Sequence, residues 1–215
     1  MDNNTKTQGL RLSAVARPAG DLLLLLCAVP GLLRSFLSLY NYADSMIMIV
    51  VSYIPPGLAF CDWRLLTGLA VLFAFTSLLI WSLPRFRWAA ASVSLAAILV
   101  TAFRHRAEVV LGAKLTFPQA ADLVIQQMAW DFTVDFGVSL SWAEQTAVTL
   151  FLALALSALA LLIGWAVVRA RRWWVVPLLT MPFLLPGLIA DLYPDWPPFL
   201  LLAACWCSML LTDLC

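Results

Sequence analysis

Charged residues are scarce in this sequence, and so are the residues from which most metal sites are built. Asp, Glu, Lys and Arg together make up 12% of the 215 residues, whereas soluble domains carry roughly 25%. His105 is the only histidine, which excludes a helical pair of histidine ligands for zinc. The net charge of +1 at pH 7 gives no reason to expect a nucleic-acid partner. Apolar residues make up 63% of the chain, which places it outside the soluble class.

Six apolar runs are long enough, or nearly long enough, to cross a bilayer. A transmembrane helix needs about 20 mostly apolar residues, with a working range of about 17–25. The runs cover residues 21–40, 65–83, 88–103, 146–168, 174–192 and 198–212. The predicted fold is therefore all-α, a polytopic membrane helix bundle of about six transmembrane helices with one extracytoplasmic amphipathic helix. The predicted location is the cell membrane.

The arginines alternate between the predicted loops in the way that the positive-inside rule requires. Arg85 and Arg87 follow the second run, and a cluster of three arginines at 169–172 follows the fourth. The loop at 191–195, after the fifth run, has no basic residue. Cytoplasmic loops carry the excess of Lys and Arg, so we predict that both termini are cytoplasmic. Residues 1–18 are then a cytoplasmic N-terminal tail, 19–103 the first three spans and 146–215 the last three.

Residues 45–60 leave the number of spans open. The segment is apolar, but Pro55, Pro56 and Gly57 interrupt it near its end, and proline removes a backbone donor from a helix. We therefore predict a re-entrant or interfacial segment. The alternative is a seventh span, which would reverse the orientation of every later loop and place both arginine clusters outside.

Residues 104–145 form the only long polar stretch, which the six-span topology places outside the cytoplasm. Within it, residues 117–136 have apolar side chains at offsets of three and four, including Val124, Ile125 and Met128. This spacing predicts an amphipathic helix, with Asp122 and Gln126 mainly on other faces. The helix either lies along the outer membrane surface or packs over the helix bundle. Residues 117–136 are also a candidate docking surface for an extracytoplasmic protein partner.

No catalytic, cofactor-binding or metal site is predicted, and no cofactor. The five cysteines, Cys27, Cys61, Cys205, Cys207 and Cys215, form no redox motif. Asp131, Asp135 and Glu144 are the main carboxylates available to a membrane enzyme, and a solvated face is the simpler interpretation. Asp21 and Arg34 lie within the first run, and the other five runs contain no charged residue until their edges. A charge within a membrane is costly unless it is paired or hydrated, so these two are functional candidates.

Three tracts resemble a known family. They are GWAVVRARRWW at 164–174, LLTMPFLLPG at 178–187 and LGAKLTF at 111–117. They are similar to the N-terminal membrane region of bacterial membrane proteins that carry an extracytoplasmic transglutaminase-like domain. The resemblance covers most of residues 18–212 and implies several helices preceding an external domain with a Cys-His-Asp catalytic arrangement. Because the sequence stops at Cys215, we expect a membrane half, a truncated product or a stand-alone relative, and no cysteine here matches the family's nucleophile.

Two functions follow from these observations. The first is a non-catalytic integral membrane module, not an enzyme, which anchors or scaffolds an extracytoplasmic activity. The alternative is a small transporter or permease subunit that binds a substrate between Arg34 and the fifth run, where Pro182 and Pro186 predict a kinked or broken helix. A polar cavity beside Arg34 and Pro186 would favour the alternative.

Overall fold

The computed structural model describes residues 3–40, 61–83, 86–104, 117–130, 142–189 and 194–214. Within these ranges the regular elements are all helices, and the predicted all-α class is confirmed. The helices are α1 (Asn3–Leu39), α2 (Trp63–Ser82), α3 (Arg87–Arg104), α4 (Phe117–Trp130), α5 (Trp142–Gly164), α6 (Val175–Ile189) and α7 (Trp196–Leu214). A π-helical turn, Trp165–Ala170, continues α5.

Three of the helices are long and apolar enough to cross a membrane. Their apolar stretches are Arg17–Leu39, Trp63–Ser82 and Gln145–Ala170. Three shorter apolar helices, Arg87–Ile98, Val175–Ile189 and Trp196–Thr212, lie at the positions of the other predicted runs. A long apolar segment forms a helix in a bilayer because the helix satisfies every backbone hydrogen bond internally. The structure is consistent with a membrane location.

Helix α1 lies at the centre of the bundle. It contacts α2, α5, α6 and α7, and its side chains at Leu25, Val29 and Leu37 are fully buried. Its apolar part, Arg17–Leu39, is also the most buried of the three long apolar stretches. The helix also extends back to Asn3, so the predicted boundary at residue 18 falls within a continuous helix.

One end of the bundle, which we call the Asp21 end, is held by an ion pair and a pair of tryptophans. Asp21 of α1 accepts a hydrogen bond from the Arg171 guanidinium at 3.2 Å. Trp81, in the last turn of α2, packs edge-on against Trp88 in the first turn of α3, with ring centroids 5.2 Å apart. The indole N–H of Trp81 donates to the carbonyl oxygen of Leu161 in α5 at 2.9 Å.

The opposite end, which we call the Arg34 end, joins the end of α1 to the starts of α2 and α7. The Arg34 guanidinium lies over the ring of Trp63, the first residue of α2. The Ser38 hydroxyl accepts a hydrogen bond from the backbone N–H of Asp195 at 3.0 Å, immediately before α7. Because α1 ends where α2 begins, these two helices run in opposite directions, whereas α2 and α5 start at the same end and run in parallel.

Small residues let the helices approach closely. A Cβ added at Gly31 of α1 would lie 3.1 Å from both the Leu202 nitrogen and the Pro198 oxygen of α7. Ser77 of α2 packs against Gly164 of the α5 segment and donates a hydrogen bond to the Ala160 carbonyl at 2.8 Å. Such contacts are typical of helix packing within membranes, where close backbone approach and polar bridges replace the hydrophobic effect.

Helix α4 covers the first part of the predicted amphipathic segment and packs against α5. Its buried side chains are Ala120 and Val124, four residues apart and therefore on one face. Ile125 was predicted on the apolar face with Val124, but it is 62% exposed. The difference arises because the contact with α5 is centred on 120 and 124, and residue 125 lies about 100° further round the helix. Residues 45–60 and 131–136 lie outside the described residues.

Candidate functional site

A cavity of about 460 Å³ opens at the Arg34 end, between the start of α2 and the first turns of α5. It is lined by Cys61, Asp62, Trp63, Arg64, Leu65, Gln145, Thr146 and Thr149. Its wall therefore includes a carboxylate, a guanidinium, an amide and hydroxyls on an otherwise apolar lining. Small-molecule sites have this character, with few polar groups in a mostly apolar cavity of about 300–1,000 Å³.

Asp62 fixes the position of the cavity wall through its backbone and its side chain. Its Oδ1 accepts a hydrogen bond from the Leu65 N–H at 3.1 Å and caps the start of α2. Its own N–H donates to the Thr149 hydroxyl oxygen at 3.0 Å, and that hydroxyl donates to the Gln145 carbonyl at 2.7 Å. This chain of bonds holds the first turn of α2 against α5.

Two arginines share the ring of Trp63. The guanidinium carbon of Arg34 lies 4.5 Å from the ring centroid, and that of Arg64 lies 5.4 Å from it. Both distances are within the range of cation–π attraction, which is worth about 0.5–2 kcal/mol. The second cation adds a repulsion that a single arginine would not create. The arrangement concentrates positive charge on one indole at the end of the bundle.

Arg34 is incompletely satisfied by the described part of the chain. Its Nη1 is buried and has no hydrogen-bond partner among the described residues. Within the same ranges the one ion pair joins Arg171 to Asp21, at the Asp21 end of the bundle. A buried cationic donor is costly without a partner or an anion. The site therefore offers a buried cationic donor that has no hydrogen-bond partner among the described residues, near the Asp62 carboxylate.

Cys61 is held as a neutral thiol beside this charge. The side chain is 1% exposed. Burial raises the pKa of the Cys61 thiol to about 12, the neighbouring Asp62 carboxylate raises it further, and Arg34 opposes both. Because the thiolate is the nucleophilic form, Cys61 is unreactive at neutral pH.

The two in-span charges predicted as functional candidates lie towards opposite ends of the apolar stretch Arg17–Leu39 of α1. Asp21 pairs with Arg171, and Arg34 belongs to the cavity region. Cys205 is buried within the bundle, whereas Cys207 is exposed. Glu144 lies in the first turn of α5. His105, Asp131, Asp135 and Cys215 lie outside the described residues. No group of three or more potential metal ligands comes together in the described ranges.

Sequence reasoning missed Asp62, Trp63 and Thr149. One signal was present, since an Asp that directly precedes an apolar run is a typical helix N-cap. That signal would have located the start of α2. It would not have indicated the approach of Arg34 or Thr149, which depends on how α1 and α5 pack.

A second polar contact at this end involves Tyr40 and α6. The buried Tyr40 hydroxyl donates to the Phe183 carbonyl at 3.3 Å and accepts from the Gly187 N–H at 3.0 Å. Phe183 and Gly187 are four residues apart, so in a regular helix this carbonyl and this N–H bond each other. The Tyr40 hydroxyl therefore bonds both partners of one intrahelical hydrogen bond of α6. Helix α6 continues through Pro182 and Pro186. The cavity is lined by α2 and α5 residues and not by Pro186.

No protein-family model, curated protein or solved structure matches this chain. The resemblance to the membrane region of transglutaminase-like proteins stays a prediction. The geometry of the described residues is the basis for the function proposed below.

Proposed function

We propose that this protein is a non-catalytic integral membrane module that anchors or scaffolds an extracytoplasmic activity. In the proposed topology six helices cross the membrane, both termini are cytoplasmic and α4 lies outside. The observation that carries the proposal is the meeting of α1 and α2 at the Arg34 end. If the chain between α1 and α2 crossed the membrane once more, as a seventh span would, the end of α1 and the start of α2 would lie on opposite sides of the bilayer.

The order of the other contacts supports the same six-span arrangement. Trp81 and Trp88 join α2 to α3 at the Asp21 end. The Tyr40 contact brings the last turns of α6 to the Arg34 end, where the Ser38 contact also brings the start of α7. For α1 and α2, for α2 and α3, and for α6 and α7, the second helix therefore begins at the end of the bundle where the first finishes, which is the pattern of an up-and-down bundle.

The distribution of arginines supports the proposed orientation. Arg17 in α1, and Arg87, Arg169, Arg171 and Arg172 at helix and turn boundaries, lie towards the Asp21 end. In the proposed topology the Arg34 end has Arg34, Arg64 and Arg104 together with Asp62, Glu144 and Asp195 among its described residues. An excess of basic residues marks the cytoplasmic side, so the Asp21 end is proposed to face the cytoplasm.

Helix α4 supports the anchoring role because it is attached to the bundle through a single face. Ala120 and Val124 hold it against α5, while Asp122 and Ile125 point away from the bundle. Ile125 is therefore a large, exposed apolar side chain on α4, which is held in place by its contact with the membrane-spanning helix α5. We propose that an extracytoplasmic protein contacts this side of α4.

Single-cysteine labelling in intact cells tests the topology. The variants are Gln126→Cys and Ala170→Cys, each in a background without the native cysteines, and the reagent is a membrane-impermeant maleimide. We expect labelling at 126 and protection at 170. The reverse result would establish the inverted topology and end the proposal of an external α4.

Site-specific photo-crosslinking tests the scaffolding role. A photoreactive amino acid at Ile125 should crosslink to an extracytoplasmic protein, and the same amino acid at the buried Val124 should crosslink within the chain. Equal, intramolecular products at both positions would contradict the proposal, because α4 would then have no free outer side.

The cavity favours a permease subunit as the second candidate, because it is polar and lies beside Trp63, on which Arg34 stacks. Uptake of a radiolabelled solute by proteoliposomes, absent from empty liposomes, would favour the permease over the module.

A further inference from the structure

The cavity at the Arg34 end has charges of both signs on its wall. Arg64 and Asp62 both line it. The Arg34 guanidinium, which lies over the ring of Trp63, adds a second positive charge next to the cavity. A simple anion would be attracted by the arginines and repelled by the Asp62 carboxylate. A ligand with a phosphate and an ammonium group satisfies both, since guanidinium donates to phosphate and a carboxylate accepts from an ammonium.

An apolar stripe on α2 continues from the cavity along the outside of the bundle. Leu65 lines the cavity and is half-exposed, as are Leu72 and Leu79. These three leucines are seven residues apart, so they form one line along the helix. Between the first two lies Gly68, where an added Cβ would meet no heavy atom of the described chain within 4 Å. The stripe is therefore open to the surroundings.

We propose that the cavity binds the headgroup of a zwitterionic phospholipid that carries an ammonium group. The phosphate lies at Arg64, the ammonium lies at Asp62, and the acyl chains follow the stripe of Leu65, Leu72 and Leu79. The tryptophan between the arginines suits this depth, because aromatic residues concentrate where headgroups meet hydrocarbon. The proposal is independent of the scaffolding function, since it rests on the cavity and on α2 alone.

A free phosphate or a free amine is a less complete ligand for the same groups. Either would satisfy one sign of charge and leave the exposed leucine stripe unoccupied. A lipid joins the polar cavity to the apolar stripe in one molecule, and the two features are continuous at Leu65. The geometry thus assigns the headgroup to the cavity and the tails to α2.

Native mass spectrometry of the full-length protein in detergent tests this assignment. Apparent Kd values are measured for phosphatidylethanolamine and for phosphatidylglycerol, which has the phosphate without the ammonium. Competition by inorganic phosphate and by ethanolamine, each added alone, separates a lipid site from a site for a small ion. The variants are Arg64→Gln, Asp62→Asn and, as a matched control at the other end of the bundle, Arg172→Gln.

We expect Arg64→Gln to weaken binding of both lipids by about 10-fold, the usual effect of losing a charge-assisted hydrogen bond. Asp62→Asn should weaken phosphatidylethanolamine and leave phosphatidylglycerol unchanged or tighter. Asparagine is as good an N-cap as aspartate, so this variant keeps the start of α2. Arg172→Gln should leave both Kd values within about twofold, because it removes a charge far from the cavity.

Three results would overturn the proposal. Arg64→Gln and Arg172→Gln could have the same effect, which would mean that lipid binds without the cavity. Asp62→Asn could leave the preference between the two lipids unchanged, which would remove the ammonium from the site. Inorganic phosphate alone could displace the lipid at equal concentration, which would identify the site as one for a free anion.

Discussion

Replacing Tyr40 by phenylalanine removes a single oxygen atom from the contact between α1 and α6. That oxygen makes two hydrogen bonds, one to the Phe183 carbonyl and one from the Gly187 N–H. The ring of Tyr40 stays in place, packed against Phe36 with centroids 5.0 Å apart. The substitution therefore tests the hydroxyl bridge with little change in packing volume.

The expected loss of stability is about 1–2 kcal/mol. A neutral hydrogen bond contributes about 0.5–1.5 kcal/mol net, and polar contacts between transmembrane helices average about 0.6 kcal/mol. Two bonds set the range. The loss stays at the lower end if α6 tightens, because the freed Gly187 N–H can then donate to the Phe183 carbonyl four residues before it. A larger loss would mean that Pro182 and Pro186 prevent the hydrogen bond between the Gly187 N–H and the Phe183 carbonyl from forming.

Reversible unfolding by SDS in mixed micelles measures the difference from the unchanged protein. Thr76→Val is the matched control, because it also removes a hydroxyl, one that is exposed and bonded to Phe73 within its own helix. We expect the control to change stability by less than about 0.5 kcal/mol. If Tyr40→Phe and Thr76→Val had equal effects, the hydroxyl bridge would contribute nothing and the reasoning would be refuted.

Three further predictions concern other contacts. In the same unfolding assay, Gly31→Ala should destabilise the protein by about 1–3 kcal/mol, because the new methyl group meets the backbone of α7. Gly68→Ala is the control and should be neutral or slightly stabilising, because its methyl group meets open space. Arg171→Gly should be about 1 kcal/mol more stable than Arg171→Ala, because residue 171 has φ 50° and both variants lack the bond to Asp21; equal stabilities would contradict this. The raised pKa of the Cys61 thiol means that the folded protein keeps a proton that the unfolded chain loses above about pH 9. The contribution of Cys61 to stability is therefore full below about pH 9 and falls as the pH rises from about 9 towards 12. Unfolding from pH 8 to pH 10.5 should therefore show a steeper loss in the unchanged protein than in Cys61→Ala, and parallel curves would exclude the effect.

The positions of the helices could be predicted from the sequence because the apolar runs are long and uninterrupted. The third run was predicted at 88–103, and α3 covers Arg87–Arg104. The fifth was predicted at 174–192, and α6 covers Val175–Ile189. The ends of these two helices agree with the prediction within three residues, because charged and aromatic residues such as Arg87 and Trp174 mark where an apolar helix meets the headgroups. Helix α1, by contrast, begins at Asn3, well before the predicted run at 21–40.

The contacts of the candidate site could not be predicted in the same way. Arg34 was identified as a costly charge, but its position over Trp63 depends on the crossing of α1 and α2. Tyr40 gave no signal, since a tyrosine at the end of an apolar run is also a normal interfacial residue. The face of α4 was predicted too broadly, because periodicity alone did not decide whether Val124 or Ile125 faces α5. Each of these depends on how two distant segments pack.

The bridge between Tyr40 and α6 has a consequence for how the protein is made. The two bonded residues are 147 positions apart in the chain, and ribosomes add about 5–20 residues per second. About 7–30 s therefore pass between the synthesis of Tyr40 in α1 and the synthesis of Gly187, whose backbone N–H it bonds. The start of α7, which bonds Ser38, is made later still. During that interval α1 can pack only against helices made before α6, such as α2 and α5, so the helix at the centre of the bundle is made first and its enclosure is completed last.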